Sequence, residues 1–325
     1  MAKTDLSLQD IYQARRAIAG HVVRSPLVRS QTLSTRTGAN VVLKLETTQP
    51  TGSFKIRGAT NRLAHLDSAA RQRGVVTTSS GNHGPAVAHA ATTQGVGSII
   101  CLYSTVPSNK VQNVRDHGGE VRIVGDSFDE AMVESERLVR EEGMTLVHAF
   151  DDRYVAAGAG TIGLELLEDL PELDSVLVPL SGGGLLGGVA LALKSAAPHV
   201  RVIGVSMARG AAMYESQKAG RPIQVEELST LADALGGGIG LDNRYTFQLV
   251  RDYVDDMLLL SEEQIAAAMR HAFDQERLVV EGAGAVGIGA ILADVAGDLG
   301  RTVAVVVSGC NVDMNRFREI VAAPA

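Results

Sequence analysis

The 325-residue chain has no tryptophan, and its aromatic residues together amount to 4%. It has two cysteines, nine prolines and no excess of positive charge. Each shortage excludes something. With 37 acidic against 30 basic residues, a net charge of −7 and few rings for base stacking, nucleic-acid binding is disfavoured. Cys101 and Cys310 lie far apart in the chain and read as free thiols of a reducing cytoplasm, neither a disulfide framework nor a thiolate zinc site. The eight histidines contain no HExxH pattern and no pair four residues apart, so no metal site is expected. No apolar run reaches 18 residues, which argues against a membrane helix. The opening residues, MAKTDLSLQDIYQARR, lack the apolar stretch of a secretion signal.

What is abundant is glycine: 35 residues, against roughly 7% in an average protein. It has no three-residue period, which excludes a collagen-like chain. Short Val/Ile-rich runs predict buried strands at Val41–Leu45, Gly74–Thr78, Ser98–Tyr103, Val121–Val124, Thr145–Ala149, Ser175–Leu180, Val202–Val205 and Thr302–Val307. Helical spacing falls between them, at Phe54–Leu66, His83–Gln94, Lys110–His117, Phe128–Glu142, Ala156–Leu170, Leu185–Ala196 and Glu262–Glu276. Continuous apolar strands alternating with helices predict an α/β fold of two doubly wound lobes with mostly parallel sheets. Ligands in such folds sit beyond the carboxyl ends of the strands.

Three predicted strands run into loops that combine hydroxyls with glycine: Ser79-Ser80-Gly81-Asn82-His83-Gly84, Ser181-Gly182-Gly183-Gly184-Leu185 and Ser308-Gly309-Cys310-Asn311. The second joins a strand directly to a helix, so its amides form an anion nest at a helix N-terminus. With no lysine in that loop, one small phosphate is the expected occupant. Two literal GxGxxG matches, Gly158–Gly163 and Gly282–Gly287, lack the acid that a dinucleotide fold requires and read instead as close helix packing. In Ser53-Phe54-Lys55-Ile56-Arg57-Gly58, Ser53 is the expected N-cap and Lys55 falls in the first helical turn. The helix dipole there favours the neutral amine that Schiff-base chemistry requires. A lysine for an aldehyde, a cup for one phosphate, and hydroxyl and amide loops together describe a site for pyridoxal 5′-phosphate.

The chain resembles the fold-type II pyridoxal-phosphate enzymes, the threonine dehydratase and serine racemase group, through SFKIRGA at Ser53–Ala59, SSGNHG at Ser79–Gly84, SGGGL at Ser181–Leu185 and SGCN at Ser308–Asn311. The four motifs occur in the family's order and span nearly the whole chain. The resemblance implies a tryptophan-synthase-β-like fold, with residues 1–65 and 148–325 forming a large cofactor-binding domain and 66–147 a small one. It implies that Lys55 forms the internal aldimine and moves the α-proton, and that Phe54 packs on the ring. Asn82 would bond the ring's 3-oxygen, Gly182, Gly183, Gly184 and Leu185 the phosphate, and Ser308 would face the pyridine nitrogen. Ser79, Ser80, Asn82 and His83 would hold the carboxylate of an amino-acid substrate, and Ser80 matches the opposite-face base of racemases. A serine beside the pyridine nitrogen leaves it largely neutral, which favours β-elimination over a long-lived carbanion.

Finer likeness, at Gly204–Met213, Leu231–Arg244 and Val280–Ala285, is to the hydroxyectoine-utilisation dehydratases. The implied activity is a cytoplasmic, homodimeric ammonia-lyase acting on a β-hydroxy-α-amino acid. The alternatives are general threonine or serine dehydration, racemisation, or a ligand-binding protein that retained the fold. Arg209, Asp242, Asn243 and Arg244 are candidates to read the substrate side chain, or equally to cap loops. Ser206, Gly210 and Ala212 offer no carboxylate where metal-activated relatives have ligands, and Gly282 stands where many relatives have proline. With Ala325 as the last residue, the C-terminal effector domain of biosynthetic threonine dehydratases is not expected.

Overall fold

The computed structural model describes residues 5–323. Ten strands occur among them: β1 (Leu27–Arg29), β2 (Asn40–Leu45), β3 (Val75–Thr78), β4 (Ser98–Leu102), β5 (Glu120–Ile123), β6 (Thr145–Leu146), β7 (Ser175–Pro179), β8 (Arg201–Met207), β9 (Asp256–Leu260) and β10 (Thr302–Val307). They form a six-stranded sheet ordered β1-β2-β10-β7-β8-β9 and a four-stranded sheet ordered β5-β4-β3-β6. All pairings are parallel except β1 with β2. The fold is therefore the two-sheet, mostly parallel α/β architecture that the alternation of strands and helices predicts.

The apolar strands explain the layering. Successive side chains of a strand face opposite ways. In β10, Val303, Val305 and Val307 enter one hydrophobic core, while Ala304 and Val306 enter another on the reverse face. In β7, Leu177 joins the first, Val176 and Val178 the second. A sheet buried on both faces needs helices on both, which the crossovers supply. The smaller sheet has its own core around Val75, Ile100 and Leu102. Helix Lys55–Ala64 contributes Ile56, Ala59 and Leu63 to that core while its other face meets helix Arg153–Asp169.

Two strands escaped the sequence reading. β1 is three residues long with two exposed, and β9 is only partly buried. Both are edge strands, which lack the doubly covered apolar signature. The expected strand Thr145–Ala149 shortens to Thr145–Leu146, although Val147 N still donates to Val76 O at 2.9 Å. Both glycine-rich matches lie in packed helices. A Cβ on Gly160 would stand 2.8 Å from Gly188 O, and one on Gly284 would stand 2.6 Å from Gly309 O. These glycines permit backbone-to-backbone approach.

Beneath helix Lys55–Ala64 lies a buried cluster of four charges. The Arg57 guanidinium meets Glu46 at 2.8 Å and Glu165 at 2.6 Å, and Lys44 Nζ meets Glu165 at 2.6 Å. Lys44 also donates to Ser25 O at 2.6 Å, and Ser25 Oγ donates to Glu46. Burial opposes charge on Glu46, but Arg57, Ser25 and Lys44 outweigh it and hold the carboxyl below its ordinary range. Burial likewise opposes the charge on Arg57, and Glu46 and Glu165 outweigh it. The cluster ties the end of β2, the lysine-bearing helix and helix Arg153–Asp169 into one unit.

Candidate active site

The carboxyl ends of β3, β7 and β10 converge on one pocket. Its lining includes Phe54, Lys55, Asn82, Gly182, Gly183, Gly184, Leu185 and Ser308, with Phe150, Leu235 and Glu281. Thus all the cofactor-binding candidates named from the sequence meet in one place. Lys55 and Glu281 are the only titratable side chains in that lining among the described residues.

The lysine is placed by backbone stitching. Ser53 forms an antiparallel bridge with Gly309, Phe54 N donates to Ser308 O at 3.0 Å, and Cys310 N donates to Gly52 O at 2.9 Å. The start of the lysine helix is thereby fixed to the loop after β10. Lys55 lies in the first helical turn, as expected, and is the first residue of the helix. Ser53 is not its N-cap, however. Phe54 holds that position with helical dihedrals, and the buried Ser53 hydroxyl has no partner because its segment is committed to the bridge.

Lys55 Nζ donates to Ala149 O at 2.7 Å and lies 5.4 Å from the Phe54 ring centroid. Burial pushes its pKa down to about 8, against an opposing pull from Glu281. The shift toward the neutral amine expected from the helix dipole comes chiefly from desolvation, and at about 8 the amine is still mostly protonated at pH 7.

The glycine loop has the form of an anion cradle. Gly183 has φ +86°, and helix Gly184–Ala196 begins immediately after it, so its first amides have no acceptor within the helix. A Cβ on Gly182 would lie 2.4 Å from the Phe150 ring, so only glycine fits against that wall. Phe150 is held in turn: its N–H and that of Asp151 donate to His148 Nδ1 at 3.2 and 2.7 Å.

Asn82 is buried, and its amide donates to Glu281 Oε1 at 2.7 Å and accepts from Asn311 Nδ2 at 2.7 Å. Glu281 holds the N-cap position of helix Gly282–Leu292, without a side-chain capping hydrogen bond. A helix N-terminus normally lowers a carboxyl's pKa. Here burial, with some help from Asp233, pushes it up to about 7. The sequence reading gave Glu281 no role, although it is the only charged residue between Leu278 and Ala293. An isolated acid at the head of an apolar helix was the available signal. Asn311 lies in the loop Ser308–Asn311 singled out from the sequence but was given no role of its own, and nothing local marks Phe150.

The carboxylate-loop candidates separate. Ser79 and Ser80 are half-buried and lie outside the pocket lining, with Ser80 Oγ 3.5 Å from Tyr103 OH. The His83 ring is buried, with Nε2 2.9 Å from Val147 O and Nδ1 without a partner. Desolvation lowers its pKa to about 3, so it is neutral and Nε2 is the donor. Of the four possible side-chain readers, none lines the pocket. Arg209 donates to Ser229 O, and Asn243 accepts from Phe247 N at 2.8 Å, which is a capping role. Asp242 and Arg244 are exposed.

A buried amine of depressed pKa, sharing a pocket with a helix N-terminus, fits a small phosphorylated aldehyde. The glycine cradle would take the phosphate and Lys55 the aldehyde carbon, with Phe54, Asn82 and Ser308, which line the same pocket, around the ring.

Comparison with known proteins gives the same family. A protein named "Putative threonine dehydratase" from Sinorhizobium fredii is 51% identical over 98% of this chain and 96% of its own length. The L-threonine ammonia-lyase of Thermotoga maritima is 43% identical over 97% of this chain and 78% of its own. The structure of maize serine racemase superposes with a TM-score of 0.92 at 35% identity, covering 97% of each chain. The model of the pyridoxal-phosphate dependent enzymes matches residues 18–309, and the chain is a member of that family, an enzyme of the fold-type II class.

Proposed function

We propose that this enzyme is a dehydratase, an ammonia-lyase acting on a β-hydroxy-α-amino acid. The observation that carries the reading is a pocket with one lysine of depressed pKa, one protonatable acid and a glycine cradle, in a chain whose relatives include an L-threonine ammonia-lyase. When bound, the cofactor supplies an aldehyde that captures the substrate amine and a ring that withdraws electrons from the α-carbon. Lys55 would hold the aldehyde carbon and, when free, would take the α-proton at Nζ. Ser79, Ser80 and the backbone at Asn82 and His83 would hold the substrate carboxylate. Ser308 would offer a hydroxyl, not a carboxylate, to the ring nitrogen, which would disfavour lasting charge on the ring. The α C–H and β C–O bonds break, and the departing hydroxyl takes a proton to leave as water. The resulting enamine tautomerises and is hydrolysed to a 2-oxo acid and ammonia.

We further propose a role in hydroxyectoine utilisation, supported by the likeness at Gly204–Met213 and Leu231–Arg244. Closure of a small domain, residues 66–147, over a large one, 1–65 and 148–325, would exclude water. A homodimer is the family expectation, tested by sedimentation. Assays of 2-oxo acid and ammonia from threonine, serine, 3-hydroxyaspartate and hydroxyectoine-derived amino acids test the activity, and no release from any of them overturns it. Racemisation is the second reading, favoured by Ser80 and the likeness to maize serine racemase. D-serine formed faster than pyruvate from L-serine would establish it as the main role.

A further inference from the structure

Asn82 belongs to the loop after β3 of the smaller sheet, whereas Glu281, Asn311 and Thr51 belong to segments around the larger one. Their hydrogen bonds run in one direction. Asn311 Nδ2 donates to the main-chain carbonyl of Thr51 at 2.8 Å and to Asn82 Oδ1 at 2.7 Å. Asn82 Nδ2 then donates to Glu281 Oε1 at 2.7 Å.

A side-chain amide can be turned over, exchanging its oxygen and nitrogen, but a peptide carbonyl only accepts. Turning Asn311 would set its oxygen against Thr51 O. Turning Asn82 alone would set its NH₂ against the Asn311 NH₂. The Thr51 carbonyl therefore dictates the sense of the whole chain, and Glu281 terminates it as the acceptor. Two glycines clear its path. A Cβ on Gly309 would stand 2.3 Å from Glu281 Oε1, and one on Gly52 would stand 2.5 Å from Asn311 Oδ1. Asn82 is left with one uncommitted N–H and a committed oxygen.

We propose that Glu281 is a positioning residue that fixes the Asn82 amide with its remaining N–H toward the pocket, so that the cofactor atom meeting Asn82 must be a hydrogen-bond acceptor. This rests on the reading of Asn82 as a partner of the cofactor's ring oxygen, and adds what orients it and which form of that oxygen it selects. Burial raises the Glu281 carboxyl to about 7, so near neutrality it is protonated about half the time, and one oxygen can accept from Asn82 in either form. The charged groups acting on Glu281 are Lys55 in the pocket, and Asp233 and Lys110, which pair at 3.4 Å.

The test is a double-mutant cycle on full-length protein, read as the cofactor dissociation constant by absorbance titration and as the absorption maximum of bound cofactor. Asn82→Ala and Glu281→Ala should each weaken cofactor binding about five- to tenfold and shift the maximum alike. The double variant should be no worse than Asn82→Ala alone. Glu281→Gln, which can still accept through its amide oxygen, should restore the wild-type maximum. Should Glu281→Ala not fold, Asn311→Asp, which keeps the shape and removes the donors, replaces it in the same cycle. If Asn82→Ala changes neither affinity nor spectrum, the contact between Asn82 and the cofactor fails, and the proposal with it. If Asn82→Ala acts but the Glu281 and Asn82 effects add, only the positioning role is overturned.

Discussion

Lys55 and Arg57 are two residues apart on one helix, and they show two ways to bury a cation. Arg57 lies among Glu46, Glu165 and Lys44, fully paired, and stays charged. Lys55 faces the pocket, donates to one carbonyl, and its pKa falls to about 8. Glu281, the other titratable group of the pocket, rises to about 7. Burial is the same physical cost in both regions. Where opposite charges share it, the result is scaffold; where they do not, the groups move toward neutrality, and proton transfer near neutral pH becomes accessible. The scaffold cluster therefore holds the helix while the pocket residues keep their protons exchangeable.

This contrast can be broken from either side. The largest effect is expected from Lys55→Ala, which should abolish the visible absorbance of bound cofactor and lower 2-oxo acid release by on the order of 10²–10⁴-fold, with folding retained by circular dichroism. On the scaffold side, Arg57→Met leaves Glu46 and Glu165 buried without their main partner. A loss of about 3–5 kcal/mol is expected in urea unfolding. Retained stability would show that the cluster is not structural. Gly158→Ala places a Cβ 2.5 Å from Arg57 O and should cost about 1–3 kcal/mol by the same measurement, pushing the lysine helix off its support.

The smallest effect is a pH dependence of the cofactor-free protein. Glu281 binds its proton more tightly folded than unfolded, so its stabilisation is complete below about pH 4.5 and is lost as pH rises through about 7. For Lys55 the folded pKa is depressed, so stability is gained as pH rises from about 8 toward 10.5. Each limb should have a slope of at most about 1.4 kcal/mol per pH unit. Glu281→Gln should flatten the lower limb and leave the upper one, and an unchanged lower limb would refute the raised carboxyl pKa.

Much of this was legible in the chain. Strands such as β10, buried on both faces, announce themselves as unbroken apolar runs, and the loops after β3, β7 and β10 could be read as ligand loops because hydroxyl and glycine follow each run directly. Edge strands β1 and β9 gave no such signal, since half-exposed residues resemble a loop. Ser53 reads locally as an N-cap, and only its pairing with Gly309, 256 positions away by residue number, removes it from that role.

The sequence by itself determined the parallel two-sheet plan, the cofactor class and the lysine, because these depend on periodicity and on motifs whose residues are near neighbours. Only the tertiary structure decided that Glu281 and Lys55 share a pocket, that Phe150 fills the space any side chain at position 182 would need, and that Thr51 sets the sense of the Asn311–Asn82–Glu281 chain. These are distances between segments far apart in the chain, and the pKa shifts that follow depend on water excluded when the segments meet. No local pattern encodes that exclusion.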